Sequence, residues 1–295
     1  MSDDAPAPPL VTVALPVYNA GEHLRLAVSS IMAQTFTDWE LLVLDDGSSD
    51  CALGFLSELR DPRIKVLQDG RNKGIAARMN QAIDMARGKY FARMDADDIA
   101  YPERFQRQVA MLQSRSELDL LATRAITIDG ANLVRGGFPC ALSHEEICAR
   151  PWLGFHFPHP TWMGRTEWFH RHRYAVPAPY LCEDQELLLR SHRSSRFATV
   201  DEVLFAYRVR SRPDWRKFRK IRRVMLRQQL RHFLRTSQWL FAALALLAFA
   251  TKTLRDEARR WRNAPAVGSA QEVSLDIQQQ WSDVLTAVTN DGRLP

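Results

Sequence analysis

Gly88-Lys-Tyr-Phe-Ala-Arg-Met-Asp-Ala-Asp-Asp98 is the stretch that decides how this chain folds. Tyr90–Met94 reads as a short buried strand, and Gly88 as the stop of a helix before it. The strand delivers three carboxylates, Asp95, Asp97 and Asp98, within four positions. Like charges this close repel, and a bound cation relieves the repulsion; hard oxygen ligands suit Mg²⁺ or Mn²⁺. Taken alone, the cluster also reads as a solvated acidic turn, because a lone motif of this size carries little information.

Working outward, the first hundred residues alternate strand and helix. Val11–Leu15 is an apolar, β-branched run ended by Pro16. Glu22–Ala33 repeats apolar residues at helical spacing through Leu24, Leu26, Ala27 and Ile31. Trp39–Leu44 is a second strand candidate, followed by the turn Asp45-Asp-Gly-Ser-Ser-Asp50. A short helix over Cys51–Leu59 leads to a third strand, Arg63–Leu67, and Ile75–Ala86 is helical. Alternation on this scale implies an α/β fold: a mostly parallel central sheet with helices on both faces. Ligands of such sheets bind at the carboxyl ends of strands. Asp45-Asp46 and Asp95–Asp98 both fall at such ends, so one site can gather them.

Beyond the cluster, Pro102 opens a helix to about Gln113, and strand-like residues run from Leu118 to Ile128. Ser143-His-Glu-Glu146 is a capping box. Residues 151–182 read as ordered loop, Glu183-Asp-Gln-Glu186 opens the helix Leu187–His192, and Val203–Val209 reads as a last strand. From Pro213 the style changes. Arg212, Arg216, Arg219, Arg223 and Arg227 recur at steps of three and four, giving a basic stripe on a helix. An apolar run, Trp239 to Thr251, follows; at 13 residues it is short of the roughly 18–20 that span a bilayer. After a linker around Ala264–Ser269, a final amphipathic helix carries Val273, Ile277, Trp281, Leu285 and Val288 on one face.

Charge follows the same division. Residues 1–200 hold 22 Lys+Arg against 25 Asp+Glu; residues 201–295 hold 18 against 9. The net +6 therefore belongs to a basic appendage on a near-neutral body. The four cysteines show no metal-ligand spacing, and the acidic, proline-rich start lacks the basic and apolar regions of a signal peptide. A cytoplasmic protein with reduced thiols is expected, peripheral on the cytoplasmic face of the inner membrane if the basic tail meets anionic lipid. The tail's other reading is packing on the catalytic body or on a second subunit. No nucleic-acid module is present.

Taken together, the segments resemble glycosyltransferase family 2, of the bacterial surface-polysaccharide type. The matching residues are Leu15-Pro-Val-Tyr-Asn19, Leu44-Asp-Asp-Gly-Ser-Ser-Asp50, Asn72-Lys-Gly74 with Ala77-Arg-Met-Asn80, Gly88–Asp98, His159-Pro160 and Glu183-Asp184. Their order and spacing over roughly residues 10–210 carry the resemblance. It implies a GT-A fold and a metal-dependent, inverting transfer of one sugar. The donor is a nucleotide-diphosphate sugar, with UDP-sugar the first expectation, and the acceptor a hydroxyl of a glycan or lipid-linked glycan. It implies that Pro16, Tyr18 and Asn19 turn toward the nucleotide, and that Asp46, with Asp45, holds the base. Arg78 approaches the diphosphate or is an exposed helix arginine. Asp97 is the direct ligand of a Mg²⁺ or Mn²⁺ ion, while Asp95 contacts the ribose or the metal shell, and Asp98 supports them or caps the following helix. Asp184 is the general base, and His159 and Glu183 shape the acceptor site.

Where the family often has Tyr-Arg-x-His after the last strand, this chain has Tyr207-Arg-Val-Arg210, and a guanidinium cannot ligate a metal. Arg210 is expected to contact the diphosphate instead, or to stand with His159 and Glu183 at the acceptor site. The QxxRW signature of processive members is only approached, by Gln228-Gln-Leu-Arg231-His232 and Glu257-Ala-Arg-Arg260-Trp261, so a non-processive enzyme is expected. The expected division is a disordered start (1–9), a catalytic domain (10–210), a basic and apolar helical extension (211–262), and a linker with a C-terminal helix (263–295). Two other readings stay open. One is a non-catalytic sugar-nucleotide or membrane-binding protein on a decayed transferase fold. The other is a sugar nucleotidyltransferase, disfavoured because Pro16–Gly21 is not a Gly-rich phosphate loop.

Overall fold

The structure is a computed structural model; it describes residues 7–209, 214–261 and 273–290. The first six residues, Arg210, Arg212 and the expected linker up to residue 272 lie outside the described residues.

The N-terminal half alternates as its sequence predicts: β1 (Val11–Val17), α1 (His23–Met32), β2 (Trp39–Asp45), β3 (Ile64–Leu67), α2 (Ile75–Met85) and β4 (Tyr90–Arg93). After it come β5 (Ile99–Ala100), α3 (Arg104–Ser114), β6 (Leu120–Ile128), β7 (Val134–Gly137), α4 (His144–Cys148), β8 (Met163–Arg165), α5 (Thr166–Arg171), α6 (Glu183–Ser191) and β9 (Phe197–Arg208). The chain ends in α7 (Trp215–Arg235), α8 (Trp239–Trp261) and α9 (Leu275–Thr289). The sheet order is β3-β2-β1-β4-β8-β6-β9-β5, with β7 on β6. Pairing among β3, β2, β1 and β4 is parallel, as is β6 with β9; β8 is antiparallel to both β4 and β6 and joins the two halves. β1 and β2 are buried on both faces, which is why they read as nearly continuous apolar runs, interrupted by Thr12 and Glu40.

Four local expectations need correction. Residues 151–182 are not loop throughout, because β8 and α5 lie within them. Three residues make a strand here only through their neighbours: Gly164 packs where a Cβ would stand 2.6 Å from the Asp119 carbonyl oxygen. The last strand begins six residues earlier than its apolar pattern suggests. Thr123 pairs Val200 but Arg124 pairs Val203, so exposed Asp201 and Glu202 are extruded as a bulge that breaks the alternation. The Cys51–Leu59 helix is a single 3₁₀ turn, Gly54–Ser57. The acidic tetrad Glu183–Glu186 is not a lead-in to a helix but its first turn. The capping box at Ser143 and Glu146 forms with both of its hydrogen bonds.

α9 packs on the main core. Trp281, Val284 and Val288 are buried, Trp281 stacks on Tyr101 at 6.0 Å, and its indole donates to the Asn132 carbonyl at 2.9 Å.

Candidate active site

The turns after β1 and β2 are tied into one unit. Asp46 N donates to Val17 O at 2.7 Å, Ser49 N to Asn19 Oδ1 at 2.8 Å, and Gly21 N to Asp50 Oδ2 at 2.8 Å. Asn19 sits at φ 49°, a left-handed conformation that asparagine tolerates better than most residues. Gly47, at φ +77°, passes so close to Arg71 that a Cβ would lie 3.0 Å from its backbone carbon. Above this unit opens a cleft of about 540 Å³, lined by Pro16, Tyr18, Asn19, His23, Asp95, Asp97 and Arg208. Tyr18 stands exposed in it, free to meet a flat ring.

Asp45 and Asp46 are buried beside this unit. Asp45 Oδ1 accepts from Ser48 N at 3.0 Å. Asp46 Oδ1 accepts from Lys73 N at 2.7 Å and from Arg78 Nε at 2.9 Å, and Oδ2 accepts from Gly74 N at 3.0 Å. Asp46 is thus the staple that holds the 73–74 turn at the mouth of α2. Arg78 is neither an exposed helix arginine nor free to meet a diphosphate. It is 1% exposed, and besides Asp46 its guanidinium donates to Asp69 at 2.6 Å, the Arg71 carbonyl and Gln81. With every arm engaged inside the protein, it positions Asp46 and the 69–74 loop.

The acidic cluster separates into three roles. Asp95 Oδ1 pairs with buried Arg93 at 2.6 Å. Asp97 opens onto the cleft, and no other described residue hydrogen-bonds or ion-pairs with its carboxylate. Protein crowding on its other sides, and then the charge of Asp95, push its carboxyl above the usual range. Asp98 does not cap a helix. It is fully buried, its Oδ1 accepts from Arg208 N at 2.7 Å, and burial with the charges of Asp95 and Asp97 raises its carboxyl well above the ordinary value. Arg208 completes the brace, donating from Nε to the Asp97 carbonyl at 2.7 Å and from Nη2 to Asn132 at 2.8 Å. An unpaired, crowded carboxylate beside a second one, both facing a cleft, is a hard-oxygen donor set that fits a divalent ion.

The second acidic site begins α6. His159, Glu183 and Asp184 bring ligand-type atoms within 4.8 Å of one another. His159 Nε2 meets the Tyr174 hydroxyl at 2.8 Å, and its Nδ1 faces Glu183 Oε1 at 3.9 Å. Burial, and then Arg93, hold the His159 imidazole well below its usual pKa, so it is neutral. Gln185 aligns Asp184: its Nε2 donates to Asp184 Oδ2 at 3.0 Å while its Oε1 accepts from Phe155 N at 2.8 Å. Burial raises the Asp184 carboxyl. Burial, and then Asp184, push Glu183 up to about 7, and Glu183 Oε2 is buried without a partner.

That raised carboxyl has a stability consequence. The folded state binds the Glu183 proton more tightly than the unfolded chain, so its contribution is complete below the unfolded value of 4.5 and is lost as pH rises through about 7. Glu183→Gln is therefore expected to match wild type near pH 4 and to exceed it above pH 8 by on the order of 3 kcal/mol. Melting temperatures of both proteins across that range check it; a constant difference would remove the argument.

Arg93 links the two acidic sites and carried no signal in the sequence beyond its place inside the quoted stretch. It is buried, and its Nε and Nη1 have no hydrogen-bond partner. Burial alone would lower its pKa, but Asp95, Tyr174, Glu183 and Asp98 outweigh it and keep the cation. Tyr174, Gln185 and His23 were likewise missed, each being an ordinary residue until tertiary contact gives it a neighbour.

Residues 12–173 match the family model for glycosyl transferase family 2. The chain belongs to glycosyltransferase family 2. This family 2 chain is 31% identical over 212 residues to an uncharacterized glycosyltransferase of Haemophilus influenzae, a match covering 68% of the chain and 66% of that protein. It is 39% identical over 103 residues to the Escherichia coli UDP-Glc:alpha-D-GlcNAc-diphosphoundecaprenol beta-1,3-glucosyltransferase WfgD, covering 35% of the chain and 41% of that protein. Among solved structures it superposes on S. aureus TarS 1-349 with a TM-score of 0.61 at 19% identity, over 97% of the chain and 81% of that one. The mannosyltransferase PcManGT from Pyrobaculum calidifontis, in complex with GDP-Man and Mn²⁺, gives 0.58 at 16% identity, over 99% and 84%. These likenesses establish the GT-A fold of the family 2 chain.

Proposed function

We propose that this chain moves one sugar, with inversion, from a UDP-sugar to a hydroxyl of a glycan or lipid-linked glycan, with a divalent ion, Mg²⁺ or Mn²⁺, at the donor. The observation that carries this reading is the pair of acidic sites on either side of Arg93: Asp95 and Asp97 at the cleft, Glu183 and Asp184 at the start of α6. A displacement needs a leaving-group side and a base side, and this arrangement supplies both.

The cleft takes the donor. Tyr18 offers a face to the base, while Asp45 and Asp46 fix the turns around it. Asp97, with Asp95, would hold the metal, which when bound neutralises charge on a leaving nucleoside diphosphate. The cluster of His159, Glu183 and Asp184 is assigned to the base rather than to an ion, because Arg93 already supplies positive charge there. Asp184 takes the proton of the acceptor hydroxyl as that oxygen attacks the anomeric carbon. The bond to the diphosphate breaks on the opposite face, and the diphosphate leaves with the electron pair. One displacement inverts the centre, so no nucleophilic carboxylate is required. Support for a UDP donor and a lipid-linked acceptor comes from the relative named for UDP-Glc and a diphosphoundecaprenol acceptor. Support for the metal comes from the Mn²⁺ complex of the structural neighbour.

Thermal shift tests the donor half. UDP with Mn²⁺ or Mg²⁺ is expected to raise the melting temperature, by about 2.7 kcal/mol of stabilisation at a hundredfold excess over Kd. UDP with a chelator is expected to do nothing. An equal shift with and without metal overturns the metal assignment, and no shift with any nucleotide overturns the donor site.

A further inference from the structure

α7 and α8 form an antiparallel hairpin whose inner side is fully occupied. Gln229 donates to the Pro151 carbonyl at 2.9 Å and Lys252 to the Leu153 carbonyl at 2.8 Å. Phe233, Ala242 and Ala245 are buried against the catalytic body. Arg222 pairs with Asp256, and Arg219 with Glu257 at 3.5 Å. Arg219, which spacing assigns to the basic stripe, therefore belongs to the seam between the helices.

The outer side is of two kinds. α7 has no acidic residue, and its exposed positions are Arg216, Lys220, Arg223, Arg227, Arg231 and Arg235, with Leu234. Steps of three and four put these cations on one ridge. On α8, Leu240, Leu247, Leu254 and Trp261 repeat every seven residues and are 61–88% exposed. Each ridge lies opposite its helix's buried residues, so apart from Lys220 both look away from the catalytic body. The surface continues toward the acceptor side. Lys220 Nζ stands 3.7 Å above the Tyr180 ring, and exposed Val176, Tyr180 and Leu181 lead directly into Glu183 and Asp184.

We propose that this face, the α7 cation ridge with the α8 leucine and tryptophan ridge, docks on an anionic membrane surface and turns the Asp184 side of the site toward the bilayer. A second copy of the chain fits poorly, since pairing the same faces sets one cation ridge against another. An anionic bilayer satisfies both ridges at once, with headgroups meeting the guanidinium groups and the acyl boundary taking the leucines and Trp261. The orientation toward the acceptor rests on the proposed transfer; the docking does not.

Vesicle sedimentation of the full chain tests it, using phosphatidylcholine alone and phosphatidylcholine mixed with phosphatidylglycerol. Wild type is expected to sediment with the mixed vesicles and to be released by salt, which screens the cations. Arg223→Glu/Arg227→Glu and, separately, Leu247→Glu/Leu254→Glu are expected to weaken that binding about tenfold or more. Both variants are expected to keep the wild-type melting temperature and the metal-dependent UDP shift. Failure of wild type to bind mixed vesicles overturns the proposal, as does equal binding by wild type and both variants. A dimer in solution that Leu247→Glu/Leu254→Glu converts to monomer, with vesicle binding unchanged, also overturns it. Vesicle binding without any UDP shift leaves the docking standing and removes the donor assignment instead.

Discussion

Asp184→Asn is expected to lower transfer by about 10²–10⁴-fold while leaving the metal-dependent UDP shift intact. The amide keeps the shape of the carboxylate and still accepts the Gln185 hydrogen bond at Oδ, so the α6 start survives. What is lost is the capacity to take a proton. The donor cleft is lined by the turns after β1 and β4 and by the end of β9, not by α6, so UDP binding has no reason to change. Burial raises the Asp184 carboxyl, so the acidic limb of the wild-type pH–rate profile is expected above the ordinary carboxylate range. Activity is present above the folded pKa and lost as pH falls through it. Arg93→Met removes a cation that favours the ionised base, and should move that limb to higher pH. Coincident loss of UDP binding and transfer in Asp184→Asn would make Asp184 structural. Retained transfer would assign the base elsewhere, with Glu183 the first alternative.

Arg78→Met is expected to cost about 3–5 kcal/mol of stability, because it breaks a buried ion pair by removing one partner. Asp46 would keep its backbone donors from Lys73 and Gly74 but lose its cation, the Arg71 carbonyl would lose its guanidinium donor, and Asp69 would keep only Lys73 as a cation. For a chain of this size that corresponds to about a 5–8 °C drop in melting temperature. UDP affinity should fall as a consequence, since the 69–74 loop is the wall behind the β2 turn. Differential scanning calorimetry with a UDP titration separates this from a direct diphosphate contact. A direct contact predicts an unchanged melting temperature with weakened UDP binding, and that result would overturn the positioning role.

The alternation of strands and helices was legible because β1 and β2, buried on both faces, write themselves as apolar runs, and because Asp-rich turns mark the carboxyl ends of β2 and β4. β8 and the first half of β9 were not. One is three residues long and exists by pairing on both sides; the other is interrupted by an exposed bulge. In the site, the acidic positions were visible as types at spacings, while their separate tasks were not. Asp46, Asp97 and Asp98 look alike in sequence. One is a buried staple, one opens to the cleft, and one is sealed under Arg208, and only their neighbours distinguish them.

By itself, then, the sequence determined the layered α/β architecture, the gathering of Asp45–Asp46 and Asp95–Asp98 at one sheet edge, and a basic appendage after residue 210. These follow from periodicity and charge, which are local properties of the chain. Tertiary structure alone decided that Arg78 faces inward, that Arg93 stands between two acidic sites, and that Arg219 leaves the basic ridge for the helix seam. Where an arginine points depends on which carboxylate folding brings within reach, and those partners come from elements far apart in sequence.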